Sequence, residues 1–180
     1  MDNKLFITEL LSRDDAARAI REEMDRLLRA IPEIGATVHF EHRHPHHHLD
    51  VWEHTLLALR LSKNRLKTRT VLLLHDIGKP LCYREEDGIR HYGGHAEKSA
   101  QMAEVILGRL GFDEAFTKEV ARLIRRHDTP MSKTFINRDP TFAAELFEVQ
   151  RCDALAHAPA YNEKRLAYIE ATEAILKSRR

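Results

Sequence analysis

Apolar residues recur at intervals of three and four along almost the whole of this 180-residue chain, and nowhere do they alternate for long enough to build a sheet. Ser12, with Asp14 and Asp15, reads as a cap and acidic first turn for a helix carrying Ala16, Ala19, Ile20, Met24, Leu27, Leu28 and Ile31, which Pro32 to Gly35 ends. The stretch from Thr37 to His48 has no clear period and is expected to be a loop. Asp50 then caps a helix, with Glu53 three residues later in the manner of a capping box, and Trp52, His54, Leu56 and Leu59 lie along it. A third helix runs from about Leu66 to Ile77. Its run Val71-Leu72-Leu73-Leu74 predicts burial on more than one face, as in a central helix. Gly78, in the left-handed conformation that ends helices, and Pro80, which forbids their continuation, are expected to stop it.

Gly78 to Gly94, with glycines also at 88 and 93, reads as a long loop of the kind that carries function, and His95 stands at its far end. Helical spacing resumes through Ala96, Ala100, Ala103, Ile106, Leu107 and Leu110 until Gly111. Asp113 caps a further helix through Phe116, Val120, Leu123 and Ile124, which delivers His127. Asp128 to Arg138 again lacks a period, whereas Asp139-Pro140 is a cap followed by proline at the first helical position, opening a helix with Phe142, Leu146, Phe147, Val149 and Asp153. After Pro159 a last helix carries Leu166, Ile169, Ile175 and Leu176, before a charged tail ending in Arg179-Arg180. The expected architecture is an all-α bundle of about seven helices in a single domain spanning residues 1–180.

Composition narrows the partners. Twenty-nine basic residues against 28 acidic ones leave a formal charge of +1, so no global electrostatic case exists for a nucleic-acid or membrane partner, and any phosphate recognition must be local. The N-terminus does not read as a signal peptide and no apolar run approaches the ~18 residues that span a bilayer, so a cytoplasmic protein without membrane contact is expected. Cys82 and Cys152 belong to no CxxC pattern and are expected to be reduced thiols.

The chemistry concentrates on histidine and aspartate. Taken alone, His54 among Val51, Leu57 and Leu61 would be an ordinary hydrogen-bonded core histidine. As a set, His54, His75, Asp76, His95, His127 and Asp153 each sit at a helix end or on a helix face, and imidazole plus carboxylate is the ligand mixture suited to divalent first-row metals. His75 and Asp76 are adjacent, so on a continuing helix they would diverge by about 100°; convergence needs the helix to stop where Gly78 stands. Asp153 has small and apolar neighbours, and a carboxylate is costly to bury unless a cation meets it. Lys79 adds a cation beside the doublet, to contact a phosphate or to pair with an acid; the phosphate contact is the favoured reading. Arg84, Lys98, Arg125 and Arg126 are weaker candidates. The run His42-Arg43-His44-Pro45-His46-His47-His48 is open between metal storage and a solvated loop, with the loop favoured because irregular spacing supplies no defined outer shell, and one of His46 to His48 is left as a cleft-lining residue.

These residues amount to a resemblance. The order His54, then His75-Asp76, then a distant Asp153 resembles the HD superfamily of metal-dependent phosphohydrolases. More specifically, Asp50-Val51-Trp52-Glu53-His54-Thr55, His75-Asp76-Ile77-Gly78-Lys79-Pro80, Gly94-His95 and Asp153-Ala154-Leu155-Ala156 are similar to the HD region of bacterial CCA-adding tRNA nucleotidyltransferases, over roughly residues 40 to 175. The resemblance implies an all-α fold in which His54, His75, Asp76 and Asp153 bind one metal, with Asp76 bridging to a second ion held by His95 and His127. The nucleotidyltransferase head has no room in 180 residues, so CCA addition is not expected. The His-His-Glu and Gly-Tyr-Pro elements of cyclic-di-GMP phosphodiesterases are absent after His127, where Asp128-Thr129-Pro130 follows.

The expected function is hydrolysis of a small-molecule phosphate ester, of a nucleotide or an RNA end, by a water that a divalent ion (Fe, Mn, Co, Ni or Zn, with Mg also admitted; one ion or two) brings from pKa 15.7 toward ~7. Asp76 would bridge the metals, Lys79 would offset phosphoryl charge, and His95 or His127, if not held by metal, would act as general acid. Two other classes compete: a catalytically weak nucleotide- or RNA-binding module with a structural metal, against which the near-zero charge argues, and an interaction protein whose helices assemble a homodimer around a vestigial site.

Overall fold

The computed structural model describes residues 2–177, and the tail Arg179-Arg180 lies outside them. Among the described residues the chain forms eleven α-helices and one small hairpin, so the all-α expectation holds. In order the helices are α1 (Asn3–Ser12), α2 (Ala16–Glu22), α3 (Met24–Ala30), α4 (Val51–Leu61), α5 (Leu66–Leu74), α6 (Lys79–Cys82), α7 (His95–Leu110), α8 (Glu114–Arg126), α9 (Lys133–Arg138), α10 (Pro140–Ala156) and α11 (Pro159–Lys177). The excess over about seven comes from short pieces: α1, α6 and α9, and the division of one expected N-terminal helix into α2 and α3.

Most punctuation acts as the sequence predicts. Asp50 accepts from the Glu53 N–H, Asp113 from that of Phe116, and Asp139 from that of Phe142, with Pro140 directly after it. Four corrections concern the remainder. Ser12 closes α1 rather than capping α2; Asp15 is the cap of α2, and Asp2 caps α1. Glu53 does not complete a capping box, because its carboxylate pairs with Arg21 of α2. The segment 78–94 is not a plain loop: Pro80 sits in the first turn of α6, where a missing N–H costs nothing, and strands β1 (Arg84–Glu86) and β2 (Ile89–His91) follow. Asp87 and Gly88 both take positive φ, 51° and 76°, the geometry of a two-residue hairpin turn that Asp-Gly favours. In the segment expected to be irregular after Asp128, Ser132 caps α9.

α5 is the central helix. All seven residues from Thr68 to Leu74 are buried, and it packs on α1, α4, α7, α8 and α10. Each fully buried leucine there contributes about 1.5–3 kcal/mol relative to exposure. Arg69 is 3% exposed inside this core. Its guanidinium donates to the carbonyls of Leu11 (2.7 Å), Arg13 (2.6 Å) and Asp14 (3.2 Å), closing the frayed end of α1 and fixing the turn into α2. α7 and α8 form an antiparallel pair joined at Gly111 (φ 87°), where the Phe112 N–H reaches the Leu107 carbonyl.

The hairpin and the histidine-rich segment 39–48 are tied together over one end of the bundle. The Arg90 N–H donates to the Arg43 carbonyl (2.9 Å), its guanidinium to the Glu41 carbonyl (2.7 Å), and the Tyr92 hydroxyl to the His42 carbonyl (2.6 Å).

Candidate metal centre

Six elements end or pass at one buried point beneath that cover. α4 carries His54 in its middle; α5 stops at Leu74 and hands over to His75 and Asp76; His95 opens α7; His127 follows the last residue of α8; Asp153 lies on α10; Arg165 reaches in from α11. Gly78 permits this convergence, but not through a left-handed backbone. It sits at φ −84°, ψ −12°, and its missing side chain is what counts. A Cβ there would lie 2.8 Å from the Ser99 backbone nitrogen and 3.1 Å from the His95 carbonyl oxygen, so only glycine lets the start of α7 pack against the turn after His75-Asp76.

The imidazoles are held in one tautomer. His75, His95 and His127 each face a backbone carbonyl three residues back through Nδ1, those of Leu72, Tyr92 and Ile124, all at 2.7 Å. His54 Nδ1 faces the Ala156 carbonyl at 3.2 Å. A carbonyl only accepts, so Nδ1 carries a proton and each Nε2 is the nitrogen turned inward, where it can offer a lone pair to a cation. The result is two pairs of facing nitrogens, His54 with His75 and His95 with His127, each 3.4 Å apart. Lone pairs so placed repel unless a proton or a cation lies between them.

Asp76 straddles the two pairs. Its Oδ2 is 3.2 Å from His75 Nε2 and 3.7 Å from His54 Nε2, and its Oδ1 is 3.4 Å from His95 Nε2 and 3.7 Å from His127 Nε2. Both oxygens are buried without a hydrogen-bond donor; the Lys79 ammonium lies 2.7 Å from Oδ2 as an ion pair, out of hydrogen-bonding alignment. Asp153 Oδ1 is 3.0 Å from His54 Nε2 and 3.6 Å from His75 Nε2, while Oδ2 meets Arg165 at 2.8 Å. The donor atoms of His54, His75 and Asp153 lie within 4.8 Å of one another, as do those of His75, Asp76 and His127. Locked imidazoles, two buried carboxylates and an undonated pair of oxygens fit a divalent transition metal.

Electrostatics agree with a site built around positive charge. Burial alone would disfavour a charged His75, yet Asp76 and Asp153 outweigh it and raise its pKa to about 10. Without metal, a proton on Nε2 between those carboxylates stands where a cation would. Burial likewise opposes ionisation of both carboxyl groups, but His75 and Lys79 hold Asp76, and Arg165 and His157 hold Asp153, well below the usual carboxylate range. His127 goes the other way: burial, reinforced by charge on His75, pushes it down to about 4.

All six residues expected to be ligands therefore meet, with Lys79 beside them. Arg84, Lys98, Arg125 and Arg126 are not among the residues lining the pocket above the site; Arg125 is taken up by Glu97 and Glu104. Sequence reasoning missed Arg165, Tyr92, His157 and, in the histidine run, His42. His157 had a usable signal, since it lies four residues after Asp153 on the same helix face. His48 is exposed, as the solvated-loop reading expects; His46 and His47 line the pocket, where one of His46 to His48 is expected, and His42 is 2% exposed. His42 accepts from Lys79 through Nε2 (3.0 Å) and bonds the Leu49 carbonyl through Nδ1, and burial together with Lys79 pushes its pKa down to about 2.

An all-helical domain with histidines and aspartates gathered at such a point belongs to the class of helical metal-binding domains. The family is shown directly: the family model of the HD domain matches residues 46–169, and the chain belongs to the HD domain family, a superfamily of metal-dependent phosphohydrolases. It is similar to the A-adding tRNA nucleotidyltransferase of Deinococcus radiodurans, 33% identical over 93% of this chain and 42% of that protein. It is also similar to the CC-adding tRNA nucleotidyltransferase of Thermus thermophilus, 38% identical over 54% of this chain and 24% of that protein. The bifunctional uridylyltransferase/uridylyl-removing enzyme of Novosphingobium aromaticivorans is 32% identical over 76% of this chain and 16% of that enzyme. The chain thus spans less than half the length of each of these relatives. Among the described residues, no helix is long and apolar enough to cross a membrane.

Proposed function

We propose that this domain hydrolyses a phosphate ester of a nucleotide or an RNA end. The observation that carries the reading is Asp76, whose two buried oxygens lack hydrogen-bond donors and each face a pair of imidazoles locked by backbone carbonyls. In this reading His54, His75, Asp76 and Asp153 would hold one divalent ion, and His95, His127 and Asp76 a second. Such ions, when bound, supply a more acidic water and offset charge on phosphoryl oxygens.

The protein's own groups do the rest. Lys79 and Arg165 bring two fixed positive charges to the pocket, and each is oriented by one of the carboxylates, Lys79 by Asp76 and Arg165 by Asp153. Arg165 also donates to the His127 carbonyl (3.1 Å), and its guanidinium has more N–H donors than these two contacts use, leaving capacity for a phosphate oxygen. His95 lies toward the pocket mouth, 3.9 Å from Asp128, where it would protonate a leaving oxygen if only the inner ion were bound. The pocket holds about 180 Å³, room for a phosphate. Beside it, sharing Asp128 and Arg165, lies a depression of about 330 Å³ floored by Pro130, Tyr168 and Ile169, which offers apolar surface for a nucleoside. Two of the relatives are named for adding nucleotides to tRNA and one for removing a uridylyl group, which favours nucleotide chemistry.

A panel of phosphomonoester, phosphodiester, nucleoside triphosphate and cyclic nucleotide substrates, each with Mn²⁺, Co²⁺, Ni²⁺, Mg²⁺ or Zn²⁺, tests the reading. Metal-dependent release of phosphate or nucleotide is expected, and Asp76→Ala should abolish it while the circular dichroism spectrum stays helical. Tight nucleotide binding with no metal-dependent turnover anywhere in the panel would replace hydrolysis with a binding role.

A further inference from the structure

A third group of imidazoles lies beside the carboxylate-lined centre. The donor nitrogens of His47, His54 and His157 fall within 4.8 Å of one another. His47 comes from the histidine-rich segment and His157 from the residue that ends α10. Their rings are close, with His47 4.5 Å from His157 and 5.1 Å from His54, edge to face in both cases. His47 Nδ1 is buried and has no hydrogen-bond partner. The ring is not free to turn toward one, since it stacks face to face on His42 at 3.6 Å with the planes 2° apart. His42 in turn is fixed between Lys79 and the Leu49 carbonyl. An unpartnered ring nitrogen, clamped beside two other imidazoles, is the arrangement of a ligand rather than of a packing residue.

The donor set is richer in imidazole than its neighbour. Three ring nitrogens, with Asp153 Oδ1 at their edge 3.5 Å from His157 Nε2, favour Zn²⁺, Ni²⁺ or Cu²⁺, whereas the centre with two carboxylates, Asp76 and Asp153, also suits harder ions such as Mn²⁺. His54 belongs to both groups. Its Nδ1 is committed to the Ala156 carbonyl, leaving a single lone pair on Nε2, which can serve one ion at a time. We propose that His47, His54 and His157 form a second, imidazole-rich zinc site whose filling withdraws His54 from the centre around Asp76, so that zinc displaces the ion held there. The displacement rests on the function proposed above; the zinc site itself does not.

The test uses the whole chain loaded with Mn²⁺ and titrated with Zn²⁺. Zinc affinity is read by competition with a chromophoric chelator, released Mn²⁺ by electron paramagnetic resonance, and the zinc position by anomalous diffraction at the zinc edge. Three results are expected: a zinc peak among the three rings, release of Mn²⁺ as it fills, and much weaker zinc binding in His47→Asn and His157→Asn, with Mn²⁺ affinity unchanged in His47→Asn. Since losing even an outer-shell partner costs roughly 10–100-fold in metal affinity, losing a ligand should cost about a hundredfold or more. Equal zinc affinity in wild type and both variants, or zinc density confined to His75, Asp76 and Asp153, would overturn the proposal. The wild-type density decides the matter even if a variant fails to fold. A protein that binds no Mn²⁺ yet shows zinc among the three rings would instead count against the proposed function and leave the zinc site standing.

Discussion

Replacing Gly78 with alanine tests how the centre is assembled without any metal. The backbone at φ −84°, ψ −12° accepts any L-residue, so no torsional strain is added. Removing a glycine from such a position should by itself stabilise by about 0.4–1 kcal/mol, through the unfolded chain. Against this, the new Cβ would lie 2.8 Å from the Ser99 nitrogen, 3.0 Å from Ser99 Oγ and 3.1 Å from the His95 oxygen. Two of these atoms are backbone of α7 and cannot rotate aside, so overpacking of about 1–3 kcal/mol is expected. The bond from the Gly78 N–H to Ser99 Oγ (3.0 Å) would be strained as well, at about 0.5–1.5 kcal/mol. The balance is a loss of about 1–3 kcal/mol, or a melting point lower by about 2–12 °C for a domain of this size. Scanning calorimetry of metal-free protein reads it. Adding Ser99→Ala should recover little, because the closest atom is the backbone nitrogen. If relief comes from an outward shift of α7, His95 moves away from Asp76 and Mn²⁺ affinity should fall. An alanine variant as stable as wild type, or more so, would refute the close-approach account.

Three further outcomes follow from the geometry. Arg69→Met strips donors from the carbonyls of Leu11, Arg13 and Asp14 and should cost about 2–4 kcal/mol in urea unfolding, with Arg69→Lys recovering part; a loss under about 0.5 kcal/mol would contradict this. Burial pushes the Cys152 thiol up to about 12, so a disulfide reagent at pH 8 should titrate one thiol, Cys82, in the native protein and both only after denaturation. His75 is raised from its ordinary value to about 10, so its contribution to the stability of metal-free protein is full below about pH 6.5 and is lost as pH rises toward 10. A metal ion must displace that proton, so affinity should climb about tenfold per pH unit between pH 7 and 9, with proton release visible by calorimetry in two buffers; pH-independent binding would exclude it.

Helix punctuation made most of the site legible. Asp50, Asp113 and Asp139-Pro140 fix where three helices begin, and His54, His127 and Asp153 follow from those starting points by counting turns. The buried run of α5 placed His75 and Asp76 at the end of the central helix for the same reason. What escaped depends on contacts between distant segments. Gly78 looked like a left-handed helix stop because that is the local use of glycine, whereas its reason is Ser99, twenty-one residues away. Arg165 lies on α11 directly after Lys164, and nothing local separates the two. The Asp87-Gly88 turn was in plain view, but two three-residue strands are too short for alternation to register. The histidine run was read by its irregular spacing, while in the structure the Arg90 and Tyr92 bonds to segment 39–48 decide which of its rings turn inward.

Under the proposed function, the charges at the centre would let a protein of nearly zero net charge attract a phosphate at this one place. Asp76 and Asp153 are buried, and a buried carboxylate persists only with a partner. Lys79 and Arg165 match them one for one. The proton that His75 keeps without metal then leaves the buried site with one excess positive charge. Exchange of that proton for a divalent ion raises the excess to two, inside a pocket where burial weakens screening. A phosphate carrying two negative charges is the natural complement, and neutral or cationic ligands are disfavoured. In that reading, selectivity would be set by how the carboxylates are already compensated, not by the number of basic residues on the surface. Removing Arg165 would leave Asp153 uncompensated, cancel half of that excess, and weaken phosphate binding even with the metal in place.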